Sequence, residues 1–290
     1  MTTRDTKRAR AKNGPGRKRE IVRDRHLLYS AAVQSVEADA QFFARIWNNS
    51  RGGRFERLRE DFCGTAVLAC EWVRRGKSHH AWGVDIDAKT LEWGRTRNVP
   101  MLGDGADRLH LARENVLTVD VPKVDVIAAL NFSYFVFHTR ALLLSYFRHA
   151  RRSLRRDGLL FLDLFGGSDT LCECTDRRRI PAETAFDGTE LPPFTYIWEQ
   201  ARFNPIDNRI KCYIHFELKD GTCLDRAFTY DWRFWTIPEV RELLAEAGFA
   251  SSEVYVEGWD DEEDEPDGIF RRRTYFENES GWIAYLVAYR

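Results

Sequence analysis

The 290-residue sequence predicts an α/β protein: a doubly wound, seven-stranded, mostly parallel sheet with an antiparallel β insertion. Three observations carry that prediction. Between residues 55 and 166 short apolar runs alternate with amphipathic stretches, the rhythm of a parallel sheet covered on both faces. Three strand-like runs then follow one another between 194 and 232 with no helix among them. The runs "SEVYVEGW" (252–259) and "WIAYLVAY" (282–289) close the chain, again without a helix between them. The last of these is expected to lie antiparallel beside the fifth strand of the main sheet.

The elements follow in order. Residues 1–20 carry Gly and Pro without apolar periodicity and are expected to be a disordered basic tail. Residues 21–54 hold two helical stretches, with apolar residues at helical spacing up to Trp47, before "NNSRGGR" breaks the chain. The core, 55–180, begins with a strand ending near Phe62 and the helix "TAVLACEWVRR", which Gly76 stops. "AWGVDI" is a strand, and Asp87 caps the helix "AKTLEWGRTR". "RLHLAREN" and "KVDVIAAL" are the third and fourth strands. Residues 139–156 form a long helix closed by Gly158, and "LLFLDLF" is the fifth strand. The insertion, 181–235, contains "FTYIWEQARF", "RIKCYIHFEL" and "TCLDRAFTYDW", separated by "NPIDN" and "KDG" turns. A bulged hairpin pairs Phe216 with Leu224 and Cys212 with Phe228, and sets His215 opposite Asp225. Residues 236–290 return to the core through a helix with a capping box of Thr236 and Glu239, ended by Gly248.

Composition narrows the function. Hydrophobic residues are 43% and charged ones 31%, as in globular proteins, and no apolar run reaches membrane-spanning length. The basic N-terminus has no apolar stretch of signal-peptide type, which points to the cytoplasm. The six cysteines form no Cys-x-x-Cys pair, so no metal site is expected. Neither hairpin register joins Cys212 to Cys223, so free thiols are expected. The net charge of −1 conceals a basic tail and an acidic run, "EGWDDEEDEPD" (257–267). The tail reads as solvated rather than as a nucleic-acid arm, and the acidic run as a loop between two strands.

The informative stretch is "EDFCGTA" (60–66), where a strand turns into a helix. A dinucleotide fold wants three glycines here, so that backbone can close on a pyrophosphate. Phe62 and Ala66 occupy two of those places, which suits a cofactor without phosphates. Four features in order resemble the class I S-adenosylmethionine-dependent methyltransferases: the acid Glu60 with the Cys63-Gly64-Thr65 turn, Asp85 ending the second strand, Asn115 after the third, and 130–134 after the fourth. The resemblance implies S-adenosylmethionine as cofactor, held by Glu60, Phe62, Cys63, Gly64, Thr65, Ala66, Asp85, Ile86, Asn115, Val116, Leu130 and Asn131. Asp85 would accept the ribose hydroxyls, and the Asn115 carbonyl the adenine amine. The first strand, "RLRED", is unusually polar: Arg57, Arg59 and Asp61 must pair with one another or reach the cofactor.

The resemblance also implies a small-molecule methyl acceptor, N- or O-methylated under an antiparallel lid. "NFSY" after the fourth strand lacks the prolines of enzymes that methylate exocyclic base amines, and "LCECTD" lacks the flanks of a cytosine-C5 nucleophile. Tyr29 on the N-terminal helix, Tyr134, Tyr196 and Arg233 are the candidate acceptor contacts, with Trp198, Tyr230 and Trp232 as further wall. Arg233 is preferred over Trp232, because a guanidinium suits an acceptor bearing carboxylate or phosphate. Arg45 is a candidate for the cofactor carboxylate, and His79-His80 reads as surface. No single residue declares itself the catalytic group. A non-catalytic or nucleic-acid-associated protein that keeps the fold is the alternative.

Overall fold

A computed structural model describes residues 22–260 and 265–290. The tail expected at 1–20 and the middle of the acidic run lie outside the described residues. The chain opens with helices α1 (Arg25–Val33) and α2 (Val36–Arg51). The alternating core follows: β1 (Arg57–Asp61), α3 (Val67–Arg74), β2 (His80–Asp85), α4 (Ala88–Arg97), β3 (Leu109–Arg113), β4 (Val124–Ala129), α5 (Arg140–Ser153) and β5 (Leu154–Gly166). Next come β6 (Cys174–Ile180), the two-residue strands β7 (Glu183–Thr184) and β8 (Glu190–Leu191), and β9 (Phe194–Asn204), β10 (Arg209–Glu217) and β11 (Cys223–Arg233). Helix α6 (Ile237–Glu246) leads into β12 (Ser251–Asp260), β13 (Glu265–Arg273) and β14 (Trp282–Tyr289).

The main sheet runs β13-β12-β14-β5-β4-β1-β2-β3. Its five strands from β5 to the edge strand β3 are parallel, and β14 lies antiparallel between β5 and β12, with Leu286 opposite Leu162. The placement of the last strand matches the expectation. The strand count does not: among the described residues eight strands form instead of seven, because β13 pairs antiparallel with β12. Residues 257–260 and 265–267 of the acidic run, expected as loop, lie in those two strands.

Strict alternation along the strands explains the two covered faces. Val126, Ala128 and Phe161 point to Phe43 and Trp47 of α2 and Leu68 and Trp72 of α3. Ile127, Ala129, Leu160 and Leu162 point to Phe147 of α5 and Leu243 and Leu244 of α6. Truncating a buried anchor such as Phe43 would cost about 3–5 kcal/mol.

Several local readings are corrected. Helix α5 ends at Ser153 rather than 156, because Arg155 leaves the helical path to pair with buried Asp125 at 2.9 Å. Asp125 also takes the backbone N–H groups of Glu56 and Arg57, tying β1 to β4. His79 is half-buried, stacked on Trp72 with ring centroids 4.1 Å apart. Asp87 and the Thr236–Glu239 capping box act as read.

The insertion is a separate antiparallel sheet, β11-β10-β9-β6, in which β6 is a fourth strand that the charge-rich "CTDRRRI" did not suggest. Phe216 faces Leu224 as expected, but Cys212 faces Tyr230 and Phe228 faces Ile214. A bulge around Arg226, whose φ is 46°, slips the register by two residues and so keeps every side chain on its face. His215 meets Asp225 at 2.6 Å and also Glu199 at 2.9 Å on the outer face. The inner face packs Ile214, Phe216 and Phe194 on Leu28 and Ala32 of α1. All six cysteines are free thiols.

Candidate functional site

The charged first strand resolves first. Arg59 and Asp61 are both fully buried and form an ion pair at 2.9 Å, and the Tyr146 hydroxyl donates to Asp61 at 2.9 Å. Such a pair is costly to bury and costlier to break. Beyond it the chain makes a turn in which Phe62, Gly64 and Ala66 all have positive φ (58°, 53° and 56°). Two of the three are not glycine, and space for their side chains comes from elsewhere. A Cβ on Gly83 would meet Cys63 Sγ at 3.0 Å and the Ala66 methyl at 3.3 Å; one on Gly94 would meet the Thr65 carbonyl at 2.3 Å. The Phe62 ring packs on Phe137 and Tyr146. Glu60 accepts the Ala69 N–H at 2.9 Å, inside the first turn of α3. Asp85 accepts the Gly64 N–H at 2.8 Å and that of Asp87 at 2.8 Å.

This loop forms one wall of a cavity of about 260 Å³ at the carboxyl ends of the parallel strands. Four carboxylates, Asp39, Glu60, Asp61 and Asp85, line it, and among the described residues no Lys or Arg does. Burial pushes Glu60 up to about 8 and Asp39 up to about 6. Asp39 is also the acceptor of the Tyr285 hydroxyl.

Of the residues singled out in the sequence, Tyr29, Glu60, Phe62, Cys63, Gly64, Thr65, Asp85, Leu130 and Asn131 line this cavity. Ala66 is fully buried beneath it as the N-cap of α3. Ile86 is 70% exposed and outside the wall. The Asn115 carbonyl is turned inward on its own loop, accepting the Leu117 N–H at 2.9 Å. Val116 and Tyr134 belong to the core. Arg45 points away, donating to the Phe270 carbonyl at 2.6 Å.

Asp39 and Asp163 escaped the sequence reading, whereas Asp61, expected to pair within its strand or reach the cofactor, pairs with Arg59 and also lines the cavity. Asp163, on β5, accepts the N–H groups of Asn131 (2.7 Å) and Phe132 (2.8 Å), both in left-handed conformation, and so holds the turn after β4 in place. Burial raises its carboxyl to about 7. The signal was present: Asp163 is the lone acid in an apolar strand, and Asp39 sits beside Ala40 in an amphipathic helix.

A second cavity, about 710 Å³, adjoins the first. The two share Tyr29, Asn131, Tyr230 and Trp232, so these side chains form the junction. Tyr196 and Trp198 line the second cavity. Tyr29 packs on Phe228 with centroids 4.8 Å apart. Arg233 lines neither cavity. Following Trp232 along an extended strand, it points to the opposite side, where it stacks on Trp235 at 3.8 Å and reaches Glu239 at 3.4 Å. The preference for Arg233 over Trp232 is therefore reversed.

No family model matches the chain, and no curated protein matches it in sequence. Solved structures do. The chain is similar to an S-adenosylmethionine-dependent methyltransferase from Clostridium acetobutylicum (16% identity, TM-score 0.61, 90% of this chain and 96% of that one). It is similar to CalS10, an amino pentose methyltransferase from Micromonospora echinaspora with S-adenosylmethionine bound (16% identity, TM-score 0.62, 91% and 95%). The sugar N-methyltransferase KedS8 from a Streptoalloteichus species is alike over 98% of this chain and 99% of its own (15% identity, TM-score 0.62). Across nearly its whole length, then, the chain has the fold of the class I S-adenosylmethionine-dependent methyltransferases.

Proposed function

We propose that the protein transfers a methyl group from S-adenosylmethionine to nitrogen or oxygen of a small molecule. One observation carries this reading: a carboxylate-lined cavity at the strand ends opens through a shared aromatic junction into a larger cavity under the insertion. A ligand with a sulfonium and an ammonium suits Asp39, Glu60, Asp61 and Asp85. A pyrophosphate would meet the Asp85 carboxylate there and no Lys or Arg among the described residues. Asp85 has a lone pair left on each oxygen for ribose hydroxyls, after its bonds to Gly64 and Asp87. Leu130 and Asn131 line the same cavity, with the Asn131 N–H held by Asp163.

S-adenosylmethionine supplies a methyl group activated for in-line displacement. The residues of the chain then have to align the acceptor with that methyl and keep water away. Tyr29, Tyr230 and Trp232 stand where the two ligands would meet and can do both.

The experiment is incubation with methyl-labelled S-adenosylmethionine and fractionated pools of small metabolites. Label should pass to a low-mass product in at least one fraction. Binding of the cofactor without transfer to any fraction would instead identify a non-catalytic protein with this fold.

A further inference from the structure

The second cavity has a charge character that selects among acceptors. Among the described residues its wall contains three carboxylates, Asp169 after β5, Asp176 on β6 and Glu257 on β12, and no Lys or Arg. None of the three is in an ion pair among the described residues. Other carboxylates of the same sheet are paired: Glu217 with Arg177, and Asp231 with Arg209. Arg178, two residues from Asp176 on β6, is not in the wall; it lies over the Tyr196 ring (5.3 Å) and donates to the Ala32 carbonyl. Aromatic side chains make up a large part of the rest of the wall. Tyr230 and Trp232 stack at 4.2 Å, and Trp198 lies 6.1 Å from each of them. Ring faces beside uncompensated carboxylates attract cations and repel anions. Thr175 and Ser280 add hydrogen-bonding groups to this wall.

Resting on the methyltransferase reading above, we propose that the acceptor is a hydroxylated amine, drawn into the second cavity as its ammonium form and methylated on nitrogen. The ammonium sheds one proton to water at the cavity mouth, where Asp169, Asp176 and Glu257 are solvent-exposed. The freed lone pair forms the N–C bond as the C–S bond breaks, its electrons staying on sulfur. The product amine then carries the transferred methyl and leaves as a cation. An acceptor bearing carboxylate or phosphate, which Arg233 suggested from sequence, finds no cation among the described residues of this wall.

The test is calorimetric titration of the protein saturated with S-adenosylhomocysteine, using glucosamine and glucuronate as size-matched probes of opposite charge. Glucosamine should bind at least about tenfold more tightly than glucuronate. Asp176→Asn, at an exposed position, should weaken glucosamine by about three- to tenfold and leave S-adenosylhomocysteine affinity unchanged. Glucuronate binding as well as glucosamine, neither probe binding at tens of millimolar, or an indifferent Asp176→Asn would each overturn the proposal. Failure of S-adenosylhomocysteine itself to bind would instead count against the methyltransferase reading.

Discussion

The Gly64 backbone N–H donates to Asp85 Oδ2 at 2.8 Å, so the end of β2 holds the loop that follows β1. The same carboxylate therefore shapes the proposed cofactor cavity and lines it. Removing it loses a loop anchor together with the proposed ribose acceptor. Asp85→Ala should weaken S-adenosylmethionine by about 2–3 kcal/mol while the protein still folds. Calorimetry alongside a melting curve separates the two effects, and unchanged affinity in the folded variant would remove Asp85 from the site.

Gly94 supports the loop from the other side. With the Thr65 carbonyl only 2.3 Å from where its Cβ would stand, Gly94→Ala must push α4 or the loop aside. Overpacking of this kind costs about 1–3 kcal/mol, and the displaced loop should lower cofactor affinity as well. Gly281→Ala, into open space, is the control that should change neither.

Buried carboxylates give a pH signature. Glu60 is raised from 4.5 to about 8 by burial, so between those values the folded state binds more protons than the unfolded one. Its contribution to stability is therefore greatest at low pH and is lost as pH rises towards 8. His26, His79 and His149, lowered by burial, act in the opposite sense. The informative quantity is thus the difference from Glu60→Gln, whose amide stays neutral. Urea denaturation should show the variant gaining on the wild type from pH 5 to pH 8, by an amount on the order of a few kcal/mol. A difference independent of pH would place an ionised Glu60 in the fold throughout.

At the insertion, the two neighbours Trp232 and Arg233 should separate cleanly. Trp232→Phe is expected to raise the acceptor KM about three- to tenfold, since Trp232 stands at the junction of the cavities. Arg233→Ala should leave KM alone and cost about 1 kcal/mol of stability through its lost contact with Trp235. The reverse pattern would return Arg233 to the pocket.

What was legible in the sequence follows from which forces are local. The alternation of apolar strands and amphipathic helices, and the two closing strands, come from burial on a sheet, so the parallel core and the place of β14 could be read directly. Asp85 and Glu60 were legible because a strand end before a helix is a local pattern. The strand β13 was not, since its charged arm is held by backbone pairing to β12 rather than by apolar contrast. Strand β6 was hidden for the same reason. The two-residue slip at Arg226 preserves the in-and-out alternation, so no hydrophobic pattern could expose it. Asn115 and Arg233 were misplaced because partners distant from the proposed site or local to the backbone claim them. Cys63-Gly64-Thr65 kept its turn without its usual glycines because Gly83 and Gly94, remote in sequence, supply the room.

The most direct test of the central claim is a calorimetric titration of the wild-type protein with S-adenosylmethionine, run in parallel with NAD. The account predicts saturable one-to-one binding of S-adenosylmethionine and none of NAD, whose pyrophosphate would face Asp85 and find no Lys or Arg among the described residues of the cavity. No binding of S-adenosylmethionine, or equal binding of both, would contradict it.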